Sequence, residues 1–469
     1  MKKGEIIKNI KVEKLVFGGK GFAKAEDGKT IFIIGGPVPG ATYDIKILKK
    51  KSSFYECQII NTVKNAGYEL PQRCDMDGVS GGARWQIIPY EKQLEIKSNQ
   101  VKEAFFHLEK FDNNINFEEI EPSPLIDGYR NKMEYSFGNY ISKKEGIDIR
   151  NNLGFHKQGE FSKVVDVRSC ILVNDEFNKI FREFKKALLD LGYPAYDQYI
   201  HKGFYRHLMM RKTHFTNEMM IVLNYNDSYN KDYNLEKIKK AMLGVAEKYD
   251  IIKSMYFSRH DGPADIAIGK LDHFYGEKII TEELLGLKFN ISPTSFFQTN
   301  SSGAEKLYSI ALDYAKKDDL SGSTVLDLYA GTGTIGMIFS PFAKKVVSVE
   351  MVTSASRDGE ANAKLNNINN IEFINAKVED YLDKYLKQGK TADLLIIDPP
   401  RSGMHKNALP NIMKFNANQI IYVSCNPSTL ARDLESILQT GKYKIEKVKA
   451  MDMFPHTHHI ETVVSLIKK

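Results

Sequence analysis

The sequence predicts a multidomain α/β protein: an OB-like β-barrel first, a mixed α/β centre, and a doubly wound, Rossmann-like domain last. Three observations predict it. Short strand patterns punctuated by glycine fill residues 1–64, strand and helix periodicities mix over 65–290, and apolar strand runs alternate regularly with helical stretches over 291–469. A chain of 469 residues also exceeds one compact core, which sets two to three domains as the expectation.

In the first segment, alternating apolar and polar positions are broken at Gly18, Gly19, Gly21, Gly35, Gly36 and Gly40, which suits a small five-stranded barrel. Residues 1–64 hold 13 lysines against 6 acidic residues, a formal +7 that equals the net charge of the whole chain, so the remainder is neutral. A lysine-rich head on a neutral body reads as a footprint for a polyanion; a merely solubilising head is the plainer alternative. Phe17, Phe22 and Phe54 are candidates for stacking on bases, with barrel core the expected place of at least two.

The centre opens with a helical pattern over about 90–111, expected to pack on the C-terminal domain. Between about Pro122 and Leu287, YRNKMEYSFGNY, IDIRNNLGFHK and FYRHLMMRKTHF read as strands, and two longer amphipathic stretches read as helices. The strand patterns carry Arg130, Lys132, Arg150, His156, Lys157, Arg206, Arg211 and Lys212 among aromatics. The expectation is an RNA-facing surface, against the alternative of an ordinary solvated sheet face. Mean hydropathy is -0.36, and no stretch resembles a membrane span. The charged start MKKGEIIKNI lacks a signal-peptide core, and the four cysteines (Cys57, Cys74, Cys170, Cys425) lack disulfide spacing. A cytoplasmic monomer with no obligate protein partner is expected.

The C-terminal part holds a nucleotide site. Val325 to Gly336 reads strand, glycine turn (Gly331, Gly333), helix, and Glu350 ends the next strand, where an acid accepts both ribose hydroxyls. The spacing does not separate NAD from S-adenosylmethionine. Two features favour the methyl donor: Asp327 in DLYAG suits an ammonium and repels a pyrophosphate, and Asp398-Pro399-Pro400 ends the fourth strand.

Cys425 ends the strand run QIIYVSC, at the sheet edge where open α/β folds bind ligands, and the helix beginning near Pro427 is expected to lower its pKa. A thiolate there suits chemistry on uracil, whose C5 attacks a sulfonium methyl only after a nucleophile has added to C6. The plain alternative is a buried filler cysteine.

DPPRSG, YVSCNPSTLARDL, PHTHHIETVVSL and SPTSFFQTN together resemble the bacterial RNA uracil-5-methyltransferases, and residues 1–64 resemble their TRAM barrel. The resemblance implies Cys425 as nucleophile and Glu461 as base. It also implies Gln298, Tyr329, Glu350 and Asp398 as donor-site residues, with Asp398 also near a flipped uracil and Phe296 stacked on it. Arg401, Arg130, Lys132 and Arg206 are the further RNA-contact candidates. Arg401 stands where the related cytosine-5 enzymes carry a second cysteine, which favours uracil. His456, His458 and His459 are assigned structural or RNA-contact roles rather than metal.

Many relatives bind a [4Fe-4S] cluster through four cysteines; here Cys74 and Cys170 stand with Ser80 and Ala83 at the other two places, so no cluster and no metal are expected. The barrel head favours 23S ribosomal RNA, with transfer RNA as the alternative. A non-catalytic RNA-binding protein with a vestigial Rossmann domain and an NAD-dependent oxidoreductase are the competing classes.

Overall fold

The computed structural model describes residues 1–74, 82–143, 146–228, 233–315 and 320–469. Its N-terminal sheet has six strands rather than five. Ile6–Lys11 pairs with Thr42–Lys50 at one end of the strand order, and Lys14–Val16 pairs with Lys20–Lys24 at the other. These two are halves of one strand interrupted at Val12 and Glu13, whose N–H groups donate to Ala41 (2.9 Å) and Phe22 (2.9 Å). The extra strand is thus the closing strand of the barrel, broken where it changes partners. Ile31, Ile33, Ile45 and Tyr55 fill the interior.

None of the three candidate phenylalanines lies in that interior. Phe22 sits under the ammonium groups of Lys14 and Lys24, each 5.4 Å from the ring centre. Phe54 meets Phe32 edge-on, and Phe17 packs against the C-terminal core.

The central sheet has seven strands in the order Lys270–Gly276, Ile252–Arg259, Met219–Tyr225, Tyr205–Lys212, Lys132–Ser142, Ile147–Lys157, Glu160–Asp166. Helices Asp175–Leu189 and Leu235–Ala246 cover one face, capped by Asn174 and Asn234, whose side chains accept from the first turns. The other face is also covered. Along Met219–Tyr225, Met219, Ile221 and Leu223 enter the helix-side core, whereas Met220 and Val222 join Ile280, Leu284 and Phe289 in the C-terminal core.

Burial corrects the expected RNA surface at Arg206 and Arg211, whereas Arg150 on strand Ile147–Lys157 stays exposed. Arg206 is 1% exposed; it donates to the carbonyls of His260, Gly262 and Ala264, and its guanidinium lies 4.1 Å from the Tyr196 ring centre. Arg211 is buried and donates to the Ser295 carbonyl (3.1 Å). Lys132 is tied to Glu134 (2.6 Å). A strand buried on both faces reads as a near-continuous apolar run, and the MMIVLNY pattern of the neighbouring strand was the available sign.

Helix Tyr90–Phe105 packs on helix Pro427–Leu438 and strand Tyr443–Met451. The C-terminal sheet runs Ile371–Asn375, Lys345–Glu350, Thr324–Leu328, Leu394–Ile397, Gln419–Ser424, Glu461–Lys468, Tyr443–Met451. The first five strands are parallel and apolar, as expected for a doubly wound sheet, and the last two form an antiparallel pair. Tyr443–Met451 is the strand the pattern reading misses, its alternation obscured by lysines. No described helix is long and apolar enough to cross a membrane.

Replacing Arg206 by Met strands three carbonyls. Urea unfolding is expected to show a loss of about 3 kcal/mol, while the salt dependence of RNA binding stays that of the wild type. A stable Arg206→Met protein with a flatter salt dependence would restore Arg206 as a phosphate contact.

Candidate active site

The parallel strands end on one side of the sheet, and there a cavity of about 1490 Å³ opens. Cys425 follows strand Gln419–Ser424 directly, and Glu461 begins strand Glu461–Lys468. These strands are antiparallel with Ser424 opposite Thr462, so the next residue of one and the preceding residue of the other meet at the cavity wall. The sequence separates Cys425 and Glu461 by 36 positions; the register brings them together.

Asp398 follows Leu394–Ile397, in the strand adjacent to that of Cys425, and lines the same wall. Burial, and then the nearby Asp327 carboxylate, push its acid up to about 7. Glu461 is held well above the usual carboxylate range by burial and by Asp398, with Arg401 opposing. The Cys425 thiol is pushed up to about 11 by burial, then by Glu461 and Asp398; Arg401 works the other way. The net shift is thus upward, opposite to the direction expected from the helix at Pro427. Its first N–H groups are already taken, because the Asn426 side chain accepts from Ser428 (3.1 Å) and Thr429 (3.4 Å).

The glycine turn lines the same cavity. Tyr329 and Gly331 take positive φ (62° and 56°), and a side chain on Gly331 would meet only open space. Gly331 N–H donates to Glu350 (2.9 Å), whose other oxygen accepts from Val352 N–H (2.7 Å), so the Glu350 carboxylate is fixed at the cavity edge. Asp327 is fully buried beneath. One oxygen accepts from Gly336 N–H and Ser348 Oγ (both 3.0 Å), and Oδ1 has no partner; burial raises its acid to about 6. Gly333 does not line the cavity. It caps helix Thr334–Phe339 at φ 71°, and a Cβ there would strike the Phe373 ring.

Gln298, Phe296, Arg130 and Arg401 line the cavity; Lys132 and Arg206 do not. Phe296 is 69% exposed at the rim. Sequence reasoning missed Asp358, whose carboxylate accepts from Ser295 Oγ (2.6 Å), and the exposed apolar pair Met351 and Val352 directly after Glu350. That pair, two apolar residues open to solvent beside an acid, was the available signal.

The three histidines divide. His456 is buried and held by Asp127 (2.8 Å) and Gln93, a structural role. His459 lines the cavity, its imidazole pushed down to about 3 by burial and by His458, Arg401 and Lys97, hence neutral. Among the described residues, no group of three or more His, Cys, Asp or Glu is arranged to hold a metal. Cys74, Ala83 and Cys170 lie in one apolar cluster, with Gln86 Nε2 donating to the Cys74 sulfur (3.2 Å). Ser80 is outside the described residues.

Iodoacetamide alkylation of Cys425 in the free enzyme is expected to be slow at pH 8. It should rise about tenfold per pH unit toward pH 11, because only the thiolate reacts. Fast alkylation at pH 7 would contradict the thiol's environment described here.

Residues 270–469 match the sequence family described as tRNA (Uracil-5-)-methyltransferase. Over 472 residues the chain is 39% identical to an uncharacterized RNA methyltransferase of Clostridium tetani, covering 100% of this chain and 99% of that protein. It is 33% identical over 465 residues to another from Thermotoga maritima, covering 99% of each. Among solved structures, the Pyrococcus abyssi tRNA (uracil-54, C5)-methyltransferase in complex with S-adenosyl-L-homocysteine is similar in fold. That likeness has a TM-score of 0.75 at 24% identity and covers 98% of this chain and 100% of that one. The chain belongs to the RNA (uracil-5-)-methyltransferase family.

Proposed function

We propose that the protein methylates C5 of a uridine in RNA with S-adenosylmethionine as donor, Cys425 as nucleophile and Glu461 as base. The observation that carries this reading is the meeting of Cys425, Glu461 and Asp398 at one wall of a cavity that the glycine turn also lines.

The residues present fit the donor. The unpartnered Oδ1 of Asp327 suits its ammonium, Glu350 is oriented for ribose hydroxyls, and the space at Gly331 admits a ligand against the backbone. When bound, S-adenosylmethionine supplies an electrophilic methyl group on a sulfonium. Gln298 and Tyr329 complete that side of the cavity.

In the free cavity Cys425 is a thiol and its neighbouring acids resist ionisation. Beside a bound cation all three would ionise more readily, the thiol proton passing to solvent, so the thiolate forms in the filled site. Cys425 Sγ then adds to uracil C6, and Arg401 offsets the added negative charge near the sulfur. C5 would take the methyl group as the donor's S–CH3 bond breaks and the sulfonium leaves as a neutral thioether; Glu461 removes the C5 proton, and the C6–S bond breaks to restore the C5–C6 double bond and the thiolate. Phe296, exposed where it lines the cavity, would stack on the extruded base.

Two readings of the substrate compete. The barrel head does not separate them, because the Pyrococcus abyssi tRNA enzyme matches 98% of this chain, head included. 23S ribosomal RNA is the substrate we carry forward from the family resemblance, with transfer RNA as the alternative. A vestigial, RNA-binding-only protein is disfavoured by the complete acid and thiol set, and NAD by the buried Asp327 where a pyrophosphate would lie.

The test incubates the protein with tritiated S-adenosylmethionine and unmodified 23S or transfer RNA, then digests to nucleosides. Label in 5-methyluridine is expected, with Cys425→Ala turnover down by more than about a thousandfold. Label elsewhere, or wild-type turnover by Cys425→Ala, overturns the mechanism; the RNA that takes label settles the substrate.

A further inference from the structure

The loop between strands Tyr443–Met451 and Glu461–Lys468 carries His459 and leads into Glu461. Four consecutive carbonyls in it are each bound by a donor from elsewhere. Asn300 Nδ2 donates to Met453 (2.8 Å), Lys97 Nζ to Phe454 (3.1 Å), Tyr129 Oη to Pro455 (3.0 Å) and the Trp85 N–H to His456 (2.9 Å). Three of these donors precede residue 270, where the family match begins.

Lys97 is the charged member. Its ammonium and the Asp452 carboxylate are 2.6 Å apart, both side chains 0% exposed, with the Trp85 ring centre 5.6 Å away. Asp452 Oδ1 also accepts from Phe454 N–H (3.0 Å), so a single ion pair fixes both the start of the loop and its first turn. A buried ion pair is poor value for stability, since desolvation offsets most of the attraction. It does impose one geometry, because any other leaves a charge unpaired in an apolar setting.

We propose that Lys97, from a helix outside the family-matched segment, is a positioning residue that holds Glu461 at the cavity wall beside Cys425. It touches neither the donor-side wall nor the uracil site; it acts through the loop. The segment 270–469 is then catalytically incomplete, and the helix Tyr90–Phe105 belongs to the active machinery. This inference rests on the reading of Glu461 as base.

The test uses the full chain carrying Lys97→Met with Asp452→Asn, which removes both charges and keeps an acceptor for Phe454. If the base is displaced after methyl transfer, the C6–S bond persists, and a covalent protein–RNA adduct accumulates on denaturing gels, as it does for a Glu461→Gln control. Expected are a kcat reduced roughly a hundredfold, KM for RNA and donor unchanged, and adduct accumulation. Tyr129→Phe, which deletes one donor and keeps the ring, is expected to give the same signature with a roughly tenfold loss, and it decides the matter if the double variant does not fold. Wild-type kcat, or a loss of kcat without adduct while Glu461→Gln accumulates it, overturns the proposal. Absence of adduct in Glu461→Gln itself removes the base assignment, and the positioning role falls with it.

Discussion

The antiparallel seating of Glu461–Lys468 against Gln419–Ser424 is the constraint on which the site depends. A parallel sheet delivers every strand's C-terminal end to one side, which suffices for Asp327, Glu350, Asp398 and Cys425. Glu461 begins its strand, so a parallel neighbour would carry it to the opposite edge. Reversing this one strand puts its first residue at the ligand edge, beside the thiol. A slip of one residue would turn the Glu461 side chain to the other face of the sheet.

That arrangement gathers three acidic groups and a thiol in a poorly hydrated place. Burial raises all of them, and neighbouring carboxylates add to it: Glu350 on Asp327, Asp327 on Asp398, Asp398 on Glu461, and Glu461 and Asp398 on Cys425. On the proposed mechanism the free enzyme is therefore at rest, with the Cys425 thiol protonated near neutral pH. For the acids the sign is clear: a native pKa above the unfolded value means that ionising Asp327 and Asp398 costs stability. That cost grows as pH rises from about 4 through about 7. A cationic ligand would reverse it, so the proposed mechanism couples occupancy of the cavity to ionisation of Cys425.

Much of this was legible in the chain. The glycine turn with Asp327 and Glu350, the DPP end of the fourth strand and the strand end at Cys425 each depend on local order, which sequence records. What sequence does not record is the pairing of distant strands. The family resemblance named Glu461 as the base, but its own surroundings show only an acid ahead of an apolar run, and its placement needed the register. The misreading of Arg206 and Arg211 has the same origin: a basic residue in a strand looks solvent-facing until chain distant in sequence is known to cover it, the loop at 260–264 over Arg206 and Ser295 beside Arg211. Gly333 was assigned to the cofactor, yet its constraint is the Phe373 ring beneath it. The broken closing strand of the barrel turned on where hydrogen-bond partners change, and composition is silent on that.

The central claim is a covalent bond between Cys425 Sγ and uracil C6 that forms before methyl transfer. Substrate RNA containing 5-fluorouridine tests it most directly, because fluorine at C5 cannot be removed as a proton and the bond is trapped. Mass spectrometry of the digested complex is predicted to find a methylated 5-fluorouridine nucleotide on the peptide containing Cys425. Methylation of unmodified RNA with no such adduct, or an adduct on Cys57, Cys74 or Cys170, would contradict the account.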